Sequence, residues 1–131
     1  MKTTIALSFA AIGLLGLGLV TTSHAGLRYG NAAVAVFDGS AAGMIGGSRN
    51  TPDGGAIGCQ VDATANSISM NCSATAADTG KFVQCSSSSP TLVQAAAAIQ
   101  ADNYVSFYWD ASGTCTRLTV STSSGYSPKQ P

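Results

Sequence analysis

The stretch CQVDATANSISMNC, from Cys59 to Cys72, decides the fold because apolar and polar residues alternate along both of its arms. A period of two residues is typical of half-buried β-strands. A turn centred on Ala65 and Asn66 makes the arms a hairpin in which residue 61 lies opposite 70 and 63 opposite 68, so that the apolar residues share one face. The same register puts Cys59 directly opposite Cys72, within reach of a disulfide. We therefore predict a Cys59–Cys72 disulfide.

Two further cysteines, Cys85 and Cys115, make a total of four. An even number in a short exported chain predicts two disulfides formed in an oxidising compartment, with three connectivities open. Once Cys59–Cys72 is assigned, the remaining pair is Cys85–Cys115. A zinc site is the competing interpretation, but no C-x-x-C pair occurs and the only histidine, His24, lies in a leader segment. We expect no metal and no cofactor.

That leader, residues 1–25, has the parts of a secretory signal peptide: Lys2 near the start, an apolar run, and small residues that end at Ala25. A retained membrane anchor is the less favoured alternative because glycines interrupt the run, which is short for a membrane span. We expect cleavage after Ala25 and export to the periplasm or the extracellular space of a bacterium, with no membrane attachment afterwards. Five basic and six acidic residues remain, which offers no basic surface to nucleic acid.

The exported chain is long enough for one small domain. We divide it into a Gly/Ala-rich segment with one candidate strand (26–55), a disulfide-linked domain (56–125) and a polar tail (126–131).

Within the Gly/Ala-rich segment, AAVAVFD (32–38) is the candidate strand, and Val34 and Val36 share a face of it. The following GSAAGMIGGSRNTPDGG (39–55) has the density of Gly, Pro, Asn and Asp that is typical of a loop. The candidate strand either adds to the sheet edge of a neighbouring molecule or, as we favour, pairs within its own domain.

The centre of the chain predicts a turn, a short strand and one helix. AADTGK (76–81) is the turn and KFVQC (81–85) the strand. In the helix, Ser89 is the N-cap, Pro90 occupies the first position, and Asp102-Asn103 marks the end. Four of its residues form a buried stripe at helical spacing: Leu92, Ala95, Ala96 and Ile99.

The stretch YVSFYWDASGTCTRLTVS (104–121) predicts a third hairpin with its turn at 110–113. Cys115 has the wrong parity for the core, so it faces outward unless a β-bulge near Gly113 redirects it. Together these elements predict an α+β fold, a small disulfide-linked antiparallel sheet of five or six short strands with one helix. An all-β sandwich is the alternative if residues 91–100 are not helical. Five apolar residues of the hairpin face the core: Val105, Phe107, Trp109, Leu118 and Val120.

The opposite side of that hairpin is the candidate binding face. Aromatic rings beside polar groups suit a sugar ring or a protein partner. The interpretation that we favour, however, is that segment 26–55 covers this side of the hairpin and makes it structural. Four residues are predicted to be exposed there: Tyr104, Ser106, Tyr108 and Arg117.

Catalytic constellations are missing from the exported sequence, which has neither His nor Glu and only scattered Asp residues. We therefore expect a secreted non-catalytic protein that acts as an extracellular structural or interaction module. Its partner is an unknown extracellular protein or glycan, or a second copy of the chain. The alternative function is a carbohydrate- or protein-binding module, including an inhibitor of a secreted enzyme, that uses the exposed Tyr/Arg face.

Overall fold

The structure is a computed structural model that describes residues 33–123 together with 125 and 126. The predicted signal peptide (1–25) and residues 127–131 of the polar tail lie outside the described residues. Seven strands and two helices follow one another in the order β1 (Ala35–Phe37), β2 (Ser40–Met44), α1 (Ile45–Arg49), β3 (Ala56–Ala63), β4 (Ile68–Thr75), β5 (Phe82–Ser87), α2 (Pro90–Ala97), β6 (Tyr104–Trp109) and β7 (Cys115–Ser121).

The first hairpin forms as predicted. Strands β3 and β4 are antiparallel, with Cys59 opposite Cys72, Val61 opposite Met70 and Ala63 opposite Ile68. The N–H of Thr64 donates to the carbonyl of Ser67 at 2.8 Å and closes the turn. Strand β5 then pairs with β4, which completes a three-stranded sheet in the order β3-β4-β5.

Both predicted disulfides are confirmed. Cys59 bonds to Cys72 across the hairpin, with a Cα–Cα separation of 4.0 Å. Cys85 on β5 bonds to Cys115 on β7, with a Cα–Cα separation of 5.1 Å. Because β5 and β7 belong to different sheets, the second disulfide joins the two sheets covalently.

The loop predicted for residues 39–55 is wrong in its first half. Residues 40–44 are β2, an inner strand of a four-stranded antiparallel sheet in the order β1-β2-β6-β7, and residues 45–49 are α1. The glycines there serve close packing rather than a loop. A Cβ on Gly43 would lie 2.9 Å from Cγ2 of Val34 and 3.4 Å from Cγ2 of Ile57. The missing side chain of Gly43 lets Val34 and Ile57 come close to this strand. The composition of residues 39–55 alone resembles that of a loop.

The described part of the Gly/Ala-rich segment pairs within its own domain, as favoured. It contributes β1 and β2 to the four-stranded sheet, with β2 beside β6. The α+β class is confirmed, but the described residues form seven strands in two sheets, whereas the sequence predicted five or six strands in one sheet. Helix α2 packs against β3, β4 and β7 and so contacts both sheets.

The helix is shorter than predicted and rotated relative to the predicted stripe. It begins at Pro90 after Ser89 but ends at Ala97, before Asp102-Asn103. Its buried residues are Val93 and Ala96, while Leu92 and Ile99 pack partly buried against the core. The helix ends early because the chain after it is held by the buried Asn103. The Oδ1 of Asn103 accepts from the N–H of Gln100 at 2.6 Å, and its Nδ2 donates to Thr122 Oγ1 at 2.9 Å.

The third hairpin forms, and its apolar residues share one face as predicted: Val105 pairs with Val120 and Phe107 with Leu118. Val105 and Phe107 are fully buried, while the remaining predicted core residues of the hairpin are half-buried. The pairing shifts between Tyr108 and Trp109, so that Thr116 has no residue opposite it. This β-bulge turns Cys115 to the core side, where it is buried and reaches Cys85.

Candidate interaction surface

The outer side of the four-stranded sheet carries a row of four directly opposed residues, one from each strand. Phe37 on β1 lies opposite Ser40 on β2, Ser40 opposite Tyr108 on β6, and Tyr108 opposite Arg117 on β7. Directly opposed residues project from the same face of a sheet. We call Phe37, Ser40, Tyr108 and Arg117 the aromatic row.

The aromatic row is open to solvent at both rings. Phe37 is 58% exposed and Tyr108 is 38% exposed. Two strand spacings of about 4.8 Å separate Phe37 from Tyr108, so their main chains lie roughly 10 Å apart. Ser40, which lies between them in the row, has a small side chain.

Arg117 is held against the ring of its neighbour. Its Cζ lies 5.4 Å from the centroid of the Tyr108 ring, within the range of a cation–π interaction. This contact directs the guanidinium along the sheet surface and covers one face of the ring. The Arg117 side chain remains exposed, so its N–H donors stay accessible to an acceptor from solvent or from a partner.

The other two predicted binding residues lie differently from expectation. Ser106 is 9% exposed and is not a surface residue; Ala42 and Thr119 are its neighbours on the adjacent strands. Tyr104 is half-buried, and its ring stacks on Tyr126 with centroids 5.9 Å apart. The predicted exposure is therefore wrong for Ser106 and holds only in part for Tyr104. Residues 33–55 leave Tyr108 open, because they extend the sheet beside β6 rather than cover this side of it.

Phe37 and Ser40 are members of the row that the sequence did not reveal. Phe37 follows Val36 in a strand, so the two must point to opposite faces, and this alternation was the available signal. Ser40 carried no such signal because residues 39–55 read as a loop. Phe37 and Tyr108 become neighbours in the row only because β2 lies between their strands, so they could not be placed together without predicting β2.

A second feature of this region is the outer edge of β1. The main-chain N–H of Val34 donates to the carbonyl of Gly54 at 2.9 Å, and the carbonyl of Val34 accepts from the N–H of Ala77 at 2.9 Å. Both groups of Val34 therefore point away from β2. Since this direction alternates along a strand, the N–H and C=O of Val36 also point outward, where the described residues offer them no main-chain partner.

A groove of about 280 Å³ runs along this edge. We call it the β1 groove; it is lined by residues 33–37, Ala77 and Asp78. At its end the Lys81 ammonium lies 3.8 Å from a carboxylate oxygen of Asp38, and both side chains are well exposed. Such an exposed pair contributes little to stability. The groove therefore ends in solvated charges beside the exposed Phe37.

The turn between β6 and β7 is organised by one carboxylate. Oδ1 of Asp110 accepts from the N–H of Ser112 at 2.9 Å, from its hydroxyl at 2.6 Å and from the N–H of Thr114 at 3.1 Å. The hydrogen bond from the Ser112 hydroxyl, followed by that from Thr114, lowers the pKa of Asp110 below its usual 3.8. This turn fixes the start of β7 and hence the strand that carries Arg117.

Within the described residues, no group of three or more His, Cys, Asp or Glu side chains could hold a metal ion. Neither helix of the described chain is long and apolar enough to cross a membrane. The chain matches no protein-family model, and neither the curated proteins nor the solved structures gave a match. The function must therefore be argued from the geometry of the aromatic row and the β1 groove.

Proposed function

We propose that this protein is an exported, non-catalytic interaction module that contacts a partner protein through its aromatic row. The observation that carries the proposal is the row itself: two exposed rings lie on one face of the sheet, and a guanidinium lies against one of them. Aromatic residues and Arg are enriched in protein interfaces, and Tyr and Arg are frequent among the residues that contribute most to affinity.

The chemistry of the row indicates what a partner presents. The exposed rings of Phe37 and Tyr108 suit an apolar side chain of a partner that lies over the small Ser40 between them. Arg117 suits a carboxylate, since its planar fork can donate two parallel hydrogen bonds. The partner that fits is a protein surface with an apolar side chain next to an Asp or Glu.

Export is supported by two independent features. The leader predicts a secretory signal, and the two disulfides fit a protein that folds in an oxidising compartment.

To test the proposal, the secreted protein is immobilised and exposed to culture medium and cell-surface extract, and the retained partner is measured. Tyr108→Ala and Arg117→Ala should each lower retention by about tenfold or more, the effect of losing a residue central to an interface. Phe82→Ala is the matched control because Phe82 is 60% exposed and lies outside the row. Equal retention by the row variants and the wild type, or a loss confined to Phe82→Ala, would refute the proposal.

A glycan partner is the alternative use of the same residues. A sugar ring would stack on Tyr108, but Arg117 already lies against one face of that ring, which leaves only the other face free. The same three variants on a glycan array separate the two cases. Binding to a sugar that Tyr108→Ala abolishes would favour a glycan over a protein.

A structural role through self-association is the second candidate, and the β1 groove favours it. The outward N–H and C=O of Val36 can pair with the same groups of a second copy, which extends the sheet across both molecules. Val36→Pro removes the outward N–H yet leaves the β1–β2 hydrogen bonds, because proline is tolerated at such an edge. Sedimentation velocity at rising concentration should show association for the wild type and Val36→Ala but not for Val36→Pro. A monomer under all conditions would exclude this role.

A further inference from the structure

The two disulfides lie side by side in the three-stranded sheet. Cys72 on β4 lies directly opposite Cys59 on β3 and also directly opposite Cys85 on β5. Three cysteines therefore form one lateral row on the same face of the sheet, and Cys85 is bonded to the fourth, Cys115. Cys72 has two cysteine neighbours and is bonded to only one of them.

The register also fixes how far Cys72 lies from Cys85. The N–H of Ala76 donates to the carbonyl of Lys81 at 2.9 Å, so residues 76 and 81 form a hydrogen-bonded pair. Such pairs recur at every second position, and the pair of Cys72 with Cys85 is one of them. Their Cα atoms are then about 5.5 Å apart, inside the range of about 4.4–6.8 Å that a disulfide requires.

Burial decides which sulfur a thiol from solution can reach. Cys72, Cys85 and Cys115 are each at most 2% exposed, whereas Cys59 is half-buried. Attack on a disulfide requires access to the attacked sulfur. Cys59 is therefore the cysteine of the four that a thiol from solution reaches most easily.

From this arrangement we propose that Cys59 is a modification site for low-mass thiols, and that its modification is passed on by disulfide exchange. A thiolate attacks the sulfur of Cys59, forms a mixed disulfide there, and expels the thiolate of Cys72. The Cys72 thiolate then attacks the neighbouring sulfur of Cys85, forms a Cys72–Cys85 disulfide, and expels Cys115, which takes up the proton lost by the thiol. One disulfide has been added between the protein and the thiol, the number of internal disulfides has fallen from two to one, and Cys115 is a free thiol.

The exchange changes how the two sheets are joined. Cys85–Cys115 links β5 to β7, whereas Cys72–Cys85 lies within the three-stranded sheet. After the exchange this corner keeps only non-covalent contacts, among them the hydrogen bond from the Ser86 N–H to the Gly113 carbonyl at 3.2 Å. A thiol that reacts at one exposed sulfur thereby releases the covalent link between the sheets.

The proposal is tested by a limited reaction of the native protein with reduced glutathione. The reaction is quenched with acid, free thiols are alkylated under denaturing conditions, and the peptides are mapped by mass spectrometry. The expected product has glutathione on Cys59, a Cys72–Cys85 disulfide and an alkylated Cys115. Modification of Cys59 with Cys72 alkylated and Cys85–Cys115 intact would overturn the exchange. Opening of Cys85–Cys115 first, or no reaction at Cys59, would overturn the assigned point of attack.

Two serine variants provide a matched pair. Cys59→Ser and Cys72→Ser each remove the same disulfide, and each variant keeps one free thiol and an intact Cys85–Cys115 bond. The free thiol lies next to Cys85 only in Cys59→Ser, where it belongs to Cys72. Alkylation without added thiol should mark Cys115 in Cys59→Ser and Cys59 in Cys72→Ser. Exclusive labelling of Cys72 in Cys59→Ser contradicts the proposal. If either variant fails to fold, the wild-type mapping still decides.

Discussion

Four glycines of the described chain have a positive φ: Gly39, Gly55, Gly80 and Gly113. Of the four glycine-to-alanine substitutions, Gly55→Ala should destabilise the protein most. Gly55 has φ +76°, a conformation that costs an alanine about 1–2 kcal/mol. A Cβ at this position would also overlap the carbonyl oxygen of Thr75 and would lie 3.0 Å from the nitrogen of Ala77 and 3.1 Å from Cβ of Val34. Two of these atoms are main-chain atoms, which cannot rotate away.

Relief of that overlap has a definite structural cost. The chain at Gly55 lies between the two hydrogen bonds that hold Val34, one from Val34 to Gly54 and one from Ala77 to Val34. Movement of Gly55 away from Thr75 weakens both bonds, at about 1 kcal/mol each. With the conformational cost, Gly55→Ala should lower the free energy of unfolding by about 3 kcal/mol. Since m is about 1.5 kcal/mol/M for urea, the midpoint should fall by about 2 M.

Gly80→Ala isolates the conformational part of this effect. Gly80 has φ +67°, but a Cβ there would meet no atom within 4 Å. Its substitution should therefore cost only about 1 kcal/mol. Urea unfolding with the disulfides intact, followed by the fluorescence of Trp109, measures both variants. If Gly55→Ala loses no more than Gly80→Ala, the overlap at Thr75 is not a constraint and the reasoning fails.

Three further predictions concern the core, a buried amide and one carboxylate. Phe107→Ala should lower the free energy of unfolding by about 3–5 kcal/mol because Phe107 is fully buried. The exposed Phe82 is the control, and Phe82→Ala should change the free energy by less than about 0.5 kcal/mol. Similar losses for the two variants in urea unfolding would contradict the assigned core. Asn103→Ala should cost about 1–3 kcal/mol because it leaves the Gln100 N–H without its acceptor, and a thermal midpoint equal to that of the wild type would count against this. The pKa of Asp110 is lower in the folded than in the unfolded chain, so its stabilising effect is present above the unfolded value near 3.8 and is lost as the pH falls through the folded one. Asp110→Ala should therefore flatten the fall in stability as the pH drops below about 4, and an unchanged pH profile would refute this.

The parts of the fold that the sequence predicted correctly are those that period-two alternation determines. Val61 and Met70 fix the register of the first hairpin, and that register alone brings Cys59 opposite Cys72. In the third hairpin alternation predicted the face that Phe107 and Leu118 share, while the β-bulge sets its register. In these stretches the side chains carry the signal because one face of each strand is buried.

Strand β2 could not be predicted because its residues carry no such contrast. Residues 40–43 are a run of small residues before the buried Met44. Gly43 lets Val34 and Ile57 approach, and close approach leaves no alternating pattern. This single omission also hid the aromatic row, because Ser40 is the residue through which Phe37 and Tyr108 become neighbours.

The two proposed surfaces share one residue, and this couples them. Phe37 ends β1, so it belongs both to the aromatic row and to the β1 groove. A strand that pairs with Val36 would extend the sheet and place one of its own side chains beside Phe37 on the outer face, which lengthens the row. Self-association would then strengthen partner binding rather than compete with it. Val36→Pro should consequently weaken partner retention along with self-association, whereas Tyr108→Ala should lower retention by about tenfold or more and leave sedimentation unchanged. If Val36→Pro removes association but retains the partner at wild-type level, the two surfaces act independently.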